Sequence, residues 1–416
     1  MKSGKGFSLI ELMVSMAILV TVVGLAITAL VQAEHVTQSV AYEANTQESL
    51  RAGMRFMVQD LAQAGEGIPE GGISVPNTGG GAPASTIIRP GMAAGVTFPN
   101  PAPILPNFPG GFLTLPAVVP GAGIGQPGKS VNPVTRAVLI GNNTDVVNIL
   151  YADNILVDSS AAQNHLYSYP VYQPTGPSQT CNAGAAAPGN SVLSPTGLFV
   201  KLDPACFLMP GATNPISVGN LIMFHNQNGT ALEYVTSVAG SQINFAAGDP
   251  AGLNATGKAA GTVASLQNGG GGFPPTTITR VWLISYYIDS TTDPLHPQLM
   301  RQVNYPNYPA ANPVNPPQAI ADNIEALSFS YDITGSLAPG GTYPAGAGNA
   351  PGPVAPDGPN QIRAANIFLA GRSEAFDQST TSASPQFLRN NLSTQVSIRS
   401  LAFLNTFGTS LTSTSP

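Results

Sequence analysis

Gly6-Phe7-Ser8-Leu9-Ile10-Glu11-Leu12, taken with what flanks it, decides how this chain is laid out. A short basic leader carrying Lys2 and Lys5 precedes it, and the sequence then stays apolar to Ala33 with Glu11 as its one charged residue. At about 1.5 Å per residue, the run from Phe7 to Ala33 makes a helix of roughly 40 Å, longer than the ~30 Å hydrocarbon core of a bilayer. The unusual feature is where the charge sits.

An isolated carboxylate within a membrane helix costs roughly 2.5–3.5 kcal/mol even on insertion scales, so an intramembrane acid calls for a partner. Near the helix start, Glu11 also gains from the positive end of the helix dipole. On helix physics alone two readings stay open: Glu11 lies at the level of the lipid headgroups, or it meets a cation inside the membrane. A secretory signal fits less well. Lys2 and Lys5 could form its basic region and Val31-Gln32-Ala33 its cleavage site. Such signals, however, have an apolar stretch of roughly 7–15 residues, and this one is far longer with Glu11 inside it. Lys2 and Lys5 also keep the amino terminus cytoplasmic and send everything after Ala33 outward.

The helical pattern continues past the apolar run. Val36, Val40, Ala44, Gln47, Leu50, Met54, Met57 and Leu61 recur at steps of three and four, the signature of one buried helix face. No proline occurs before Pro69, and Gly65 is placed to end the helix. The spacing predicts one helix of roughly 87 Å from Phe7 to Ala64, with residues 7–33 in the membrane and 34–64 amphipathic. Arg51, Arg55 and Asp60 read as a solvated face whose side-chain pairs contribute a few tenths of a kcal/mol.

Composition describes the rest. Charged residues are 9% of 416, against about 25% in typical soluble domains, while 45 glycines and 39 prolines make up about a fifth of the chain. That points to a loop-rich exported β protein. The net charge of −6 becomes more negative still without Lys2 and Lys5, and no basic tract is present, which argues against nucleic-acid binding. Both cysteines, Cys181 and Cys206, fall on the exported side, where a disulfide persists. A bridge between them would stabilise by about 3 kcal/mol, and two buried thiols are the alternative.

Residues 65–133 are Pro/Gly-rich and read as mostly irregular, with Phe112 to Val119 as a possible edge strand. Residues 134–404 read as an antiparallel β domain. Ala137 to Ile140 and Asp145 to Tyr151 flank a turn at Gly141-Asn142-Asn143. Leu221 to His225, Ala231 to Val238 and Gln242 to Ala246 form a meander. Ile278 to Ile288, containing Trp282, then Gln298 to Asn304, Ile324 to Ile333, Ile362 to Ala370 and Thr394 to Leu404 complete the set. Loops 335–361 and 371–391 read as poorly ordered and 405–416 as a flexible tail. The expected fold is α+β: a long amino-terminal helix packed on an antiparallel sheet domain.

Catalytic chemistry has little support. The four histidines are scattered, and no zinc spacing or nucleophile elbow occurs. Asp289-Ser290-Thr291-Thr292-Asp293 lacks the glycine and terminal glutamate of a calcium loop and reads as a hairpin turn. No cofactor and no metal are expected.

Gly6-Phe7-Ser8-Leu9-Ile10-Glu11-Leu12 resembles the processing site of type IV prepilins and type II secretion pseudopilins. The resemblance implies that a membrane prepilin peptidase cuts after Gly6 and methylates the new terminus at Phe7, making 1–6 a leader peptide. It also implies that Glu11 pairs with the terminal ammonium of a neighbouring subunit, so that two charges too costly to bury separately are buried together. Major pilins commonly carry a proline midway along the apolar helix, where this chain has Thr28, which points to a minor subunit.

The run from Arg51 to Gly65 is similar to the helix end of PilW-type minor pilins. So are Tyr286 to Asp289, Leu299 to Gln302, Ile324 to Tyr331, Ile362 to Leu369 and Leu392 to Arg399, in that order. The resemblance implies partners: other minor and major pilins, a tip adhesin and the inner-membrane assembly platform. It places the β domain outside the cytoplasm and then at the cell surface in a fibre. The J-type pseudopilin of type II secretion shares the same pattern, and a stand-alone membrane-anchored adhesin is the reading from another class.

Overall fold

The computed structural model describes residues 8–69, 72–76, 114–132, 135, 137–153, 169–171, 192–201, 216–240, 242–269, 272–274, 276–305, 316–333, 342–343, 362–377 and 386–398. One helix, α1 (Leu9–Gln63), matches the predicted span closely. Its end is built as expected: Ala64 leaves helical geometry, Gly65 takes a φ of +80°, and the Gly65 N–H donates to the Leu150 carbonyl at 2.8 Å. A side chain at Gly65 would be strained in that left-handed conformation.

Among the described residues the strands are β1 (Ile73–Ser74), β2 (Thr114–Leu115), β3 (Val118–Gly121), β4 (Pro127–Val131), β5 (Val138–Asn143), β6 (Val146–Ala152), β7 (Tyr169–Val171), β8 (Val192–Leu193), β9 (Phe199–Lys201) and β10 (Leu221–Asn226). They continue as β11 (Gly229–Tyr234), β12 (Ser237–Ala239), β13 (Gln242–Asn244), β14 (Thr276–Asp289), β15 (Gln298–Val303), β16 (Gln318–Asp322), β17 (Ile324–Ile333), β18 (Thr342–Tyr343), β19 (Ile362–Asp377) and β20 (Gln386–Ser397). Every pairing between them is antiparallel.

β14 is the spine of the larger sheet. On one side it pairs β10 and then β15, and on the other β7 and then β6. Its near-continuous apolar run suits a strand buried on both faces. Ile284, Tyr286 and Ile288 face the α1 cluster, whereas Val281 and Leu283 face a second cluster with Leu150, Leu221 and Met223. A second sheet has the order β18-β17-β19-β20. From it Leu327, Phe329, Ile367, Leu369 and Val396 join Leu50, Met54, Met57 and Leu61 of α1 in one core. The helix therefore seals the seam between the two sheets. Gly53 sits at the closest approach, where a Cβ would lie 2.8 Å from the Leu299 side chain.

Several expectations are corrected. The stripe on α1 is buried only from Thr46 to Leu61, while Val36 and Val40 are 60% and 61% exposed because the sheets end below them. Gly141, Asn142 and Asn143 belong to β5 rather than to a turn. β5 and β6 are not hairpin partners either, since β5 pairs β4 and β6 pairs β3 and β14. The chain turns instead at Thr144-Asp145, where the Asp145 carboxylate accepts the N–H groups of Gly123 and Phe329, both at 2.7 Å. The stretch Ala231 to Val238 is divided between β11 and β12, which lie in different sheets.

The Pro/Gly-rich segment contributes β1 to β4, and Ile73, Leu115, Val118 and Val119 are buried. The loop after Gly371 is shorter than its composition implies, because β19 runs on to Asp377 and β20 starts at Gln386. Arg372 and Ser373 are buried there: the guanidinium lies 4.1 Å over the Phe387 ring and Ser373 Oγ accepts the Leu388 N–H. Trp282 is half-buried at the rim of the α1 core, with the Arg280 guanidinium 5.0 Å from its ring. Loop 335–341, loop 344–361, the tail 405–416 and the end of the strand expected to reach Leu404 lie outside the described residues.

Candidate functional site

The amino-terminal end of α1 is the first candidate. Ser8, in extended conformation, caps the helix, and its backbone N–H donates to Glu11 Oε2 at 3.4 Å. A carboxylate at this place also meets the positive end of the helix dipole. Gly6 and Phe7, the expected processing site, lie outside the described residues, as do Cys181 and Cys206.

From Leu9 to Glu34 every residue is exposed, Leu9 to 78%. The apolar run is long enough to cross a membrane by length and composition. Its hydroxyls are already satisfied within the helix. Ser15, Thr21 and Thr28 donate to the carbonyls of Leu12, Ile18 and Gly24 at 2.8, 2.8 and 2.9 Å. Such internal bonds are what a hydrocarbon environment demands of polar side chains. Glu11 is the ionisable group left needing an outside partner.

The second candidate is the joint between α1 and the sheets. Asp60 is buried, contrary to the solvated face expected of it. Its carboxylate takes Arg301 Nε at 2.8 Å and Nη2 at 3.2 Å, and also accepts the hydroxyls of Tyr286 and Tyr151. Burial and the Asp60 charge push the hydroxyls of Tyr286 and Tyr151 above the usual phenol range, so both stay protonated donors. For Arg301, burial alone would lower the pKa, but the hydrogen bond and charge of Asp60 outweigh it and hold the guanidinium above its usual value. Arg51 and Arg55, by contrast, are exposed as expected.

The sequence carried a signal for Asp60 that a charge count overlooks. Asp60 follows Met57 by three residues and Gly53 by seven, and so falls on the buried face. Arg301 follows Leu299 by two, which puts both on one face of β15. Two further buried ion pairs have no such signal, Asp153 with Arg280 and Glu325 with Arg372, and the half-exposed Arg389 also reaches Glu325. Each joins residues remote in sequence. Among the described residues no group of three or more His, Cys, Asp or Glu side chains is arranged to hold a metal ion.

The family model of the prokaryotic N-terminal methylation motif matches residues 1–27. No curated protein and no solved structure matches the chain. The motif marks type IV pilins and pseudopilins, proteins that are structural rather than enzymatic, and it implies processing by prepilin peptidase and association with other pilins. Together with the exposed apolar helix it supports a membrane-anchored, type IV pilin-like protein.

Proposed function

We propose that this chain is a minor pilin of the PilW type, without catalytic activity, that enters a type IV pilus through its amino-terminal helix and supports assembly of the tip or priming complex. Prepilin peptidase would remove residues 1–6 and methylate Phe7. The β head then stands outside the cytoplasm and reaches the cell surface with the fibre. There it meets other minor pilins, the major pilin and a tip adhesin above the inner-membrane platform.

Glu11 carries this reading. It is the one charged group between Leu9 and Ala33, an apolar stretch of helix with no described residue of this chain packed against it. Burying that carboxylate among lipid chains costs several kcal/mol, and a neighbour's terminal ammonium is the compensation the cleaved motif offers.

Intact mass and amino-terminal sequencing, with the protein extracted from cells with and without prepilin peptidase, tests the processing. A methylated Phe7 terminus that depends on the peptidase is expected, and a terminus at Glu34 would overturn the reading. Glu11→Ala should keep the head folded while the subunit is lost from fibres. A J-type pseudopilin would share the same processing, and co-purification with secretion-platform components in place of pilus components would select it.

A further inference from the structure

We infer that the groove between α1 and the open edge of β20 takes an extended strand, acidic and partly apolar, from a different pilin subunit. The source of that strand rests on the pilin reading above. β20 is the outermost strand of its sheet over Gln386–Ser397, and among the described residues nothing pairs its outer edge. Backbone donors and acceptors along such an edge must find water or another strand. This one is long, contains no proline, and shows Asn391, Ser393 and Gln395 to solvent.

Beside that edge runs a groove of about 420 Å³, lined by Arg51, Met54, Arg55, Val58, Gln59 and Leu392. Its floor is apolar and its rim basic. Arg280, Arg301, Arg372 and Arg389 are each paired with a carboxylate, but Arg51 and Arg55, one turn apart on the exposed side of α1, have no ion pair among the described residues. Strand addition supplies affinity through the main chain and selectivity through alternate side chains. Two unpaired guanidiniums beside an open edge therefore favour a strand bearing carboxylates, which they can hold in bidentate fashion.

A second copy does not offer such a strand among the described residues. β5, β12 and β18 carry no acid, Asp322 of β16 is bonded to Gln298, and Glu233 of β11 is buried. Of the strands described, those of a second copy do not match the groove, which favours a different subunit as the occupant.

Hydrogen exchange on the full-length processed protein, in detergent and in purified fibres, reads β20 directly. Exchange over residues 388–396 should slow roughly tenfold or more on assembly. The slowing should disappear in the Arg51→Glu/Arg55→Glu double variant, and Arg51→Gln/Arg55→Gln keeps the test readable if charge reversal blocks entry. Subunits that enter fibres with β20 exchange unchanged would overturn the groove and leave the pilin reading intact. A wild-type chain that never enters fibres overturns both. Benzoylphenylalanine placed at Leu392 should cross-link to an acidic strand of another pilin, and a cross-link to α1 of a second copy would overturn the proposed occupant.

Discussion

Asp60 of α1 and Arg301 of β15 form an ion pair at 2.8 Å, with the Asp60 side chain only 7% exposed. Helix and sheet are thereby held in one register by a charge that neither could bury alone. A helix anchored in a bilayer at one end transmits force to its head through its other end, and this pair lies one turn from where α1 stops.

Asp60→Ala leaves Arg301 and two tyrosine hydroxyls facing a carboxylate-sized gap. Removing one partner of a buried pair typically costs roughly 3–5 kcal/mol. Urea titration of the detergent-solubilised chain should show a loss of that size, with Asp60→Ala/Arg301→Met less destabilised than Asp60→Ala alone. Equal stabilities for wild type and Asp60→Ala would remove the pair from the account.

Gly53→Val should also destabilise. The new side chain meets Leu299 and Ala321 where even a bare Cβ is 2.8 and 3.2 Å away. Overpacking of this kind costs about 1–3 kcal/mol. An alanine or valine normally favours a helix over glycine, so a stabilised variant would show that α1 does not sit this close to β15.

Glu233 gives the head a pH dependence. It is 2% exposed, and burial raises its pKa well above the usual 4.5, helped by Asp249 and opposed by the Val263 N–H. Because the folded value is raised, its contribution is fully present below the unfolded pKa and is lost as pH climbs through the folded value. Glu233→Gln should therefore melt higher than wild type at pH 8, with the gap closing by pH 4. A gap independent of pH would mean that folding does not shift the Glu233 carboxyl.

Cys181 and Cys206, read as a disulfide in an oxidising compartment, should resist thiol labelling of the unreduced protein. Reduction should lower stability by about 3 kcal/mol. Labelling at both positions without reductant would show two thiols.

α1 was legible because a 3.6-residue repeat with no proline needs little beyond local spacing, and β14, β15 and β17 because β-branched and aromatic runs lie between turn residues. What escaped has a common cause. Asn142 and Asn143 look like a turn in isolation, but pairing with β4 keeps them in a strand. Arg372 looks like loop chemistry until Glu325, Leu295 and the Phe387 ring are brought to it from elsewhere in the chain. Asp60 looks solvated until Tyr286 and Arg301 close over it.

The amino-acid sequence by itself determined the helix, its apolar length, the isolated charge at Glu11 and the methylation motif around it, since each depends on neighbours within a few residues. Only the tertiary structure decided which half of the amphipathic stripe is buried, which acids are inside, and that α1 seals two sheets while, among the described residues, the outer edge of β20 stays unpaired. Those outcomes depend on desolvation. Helical spacing puts Asp60 on the buried face, but the partners that make its burial tolerable, Tyr286 and Arg301, lie more than two hundred residues away, and nothing local to Gln386–Ser397 records which of its edges is paired.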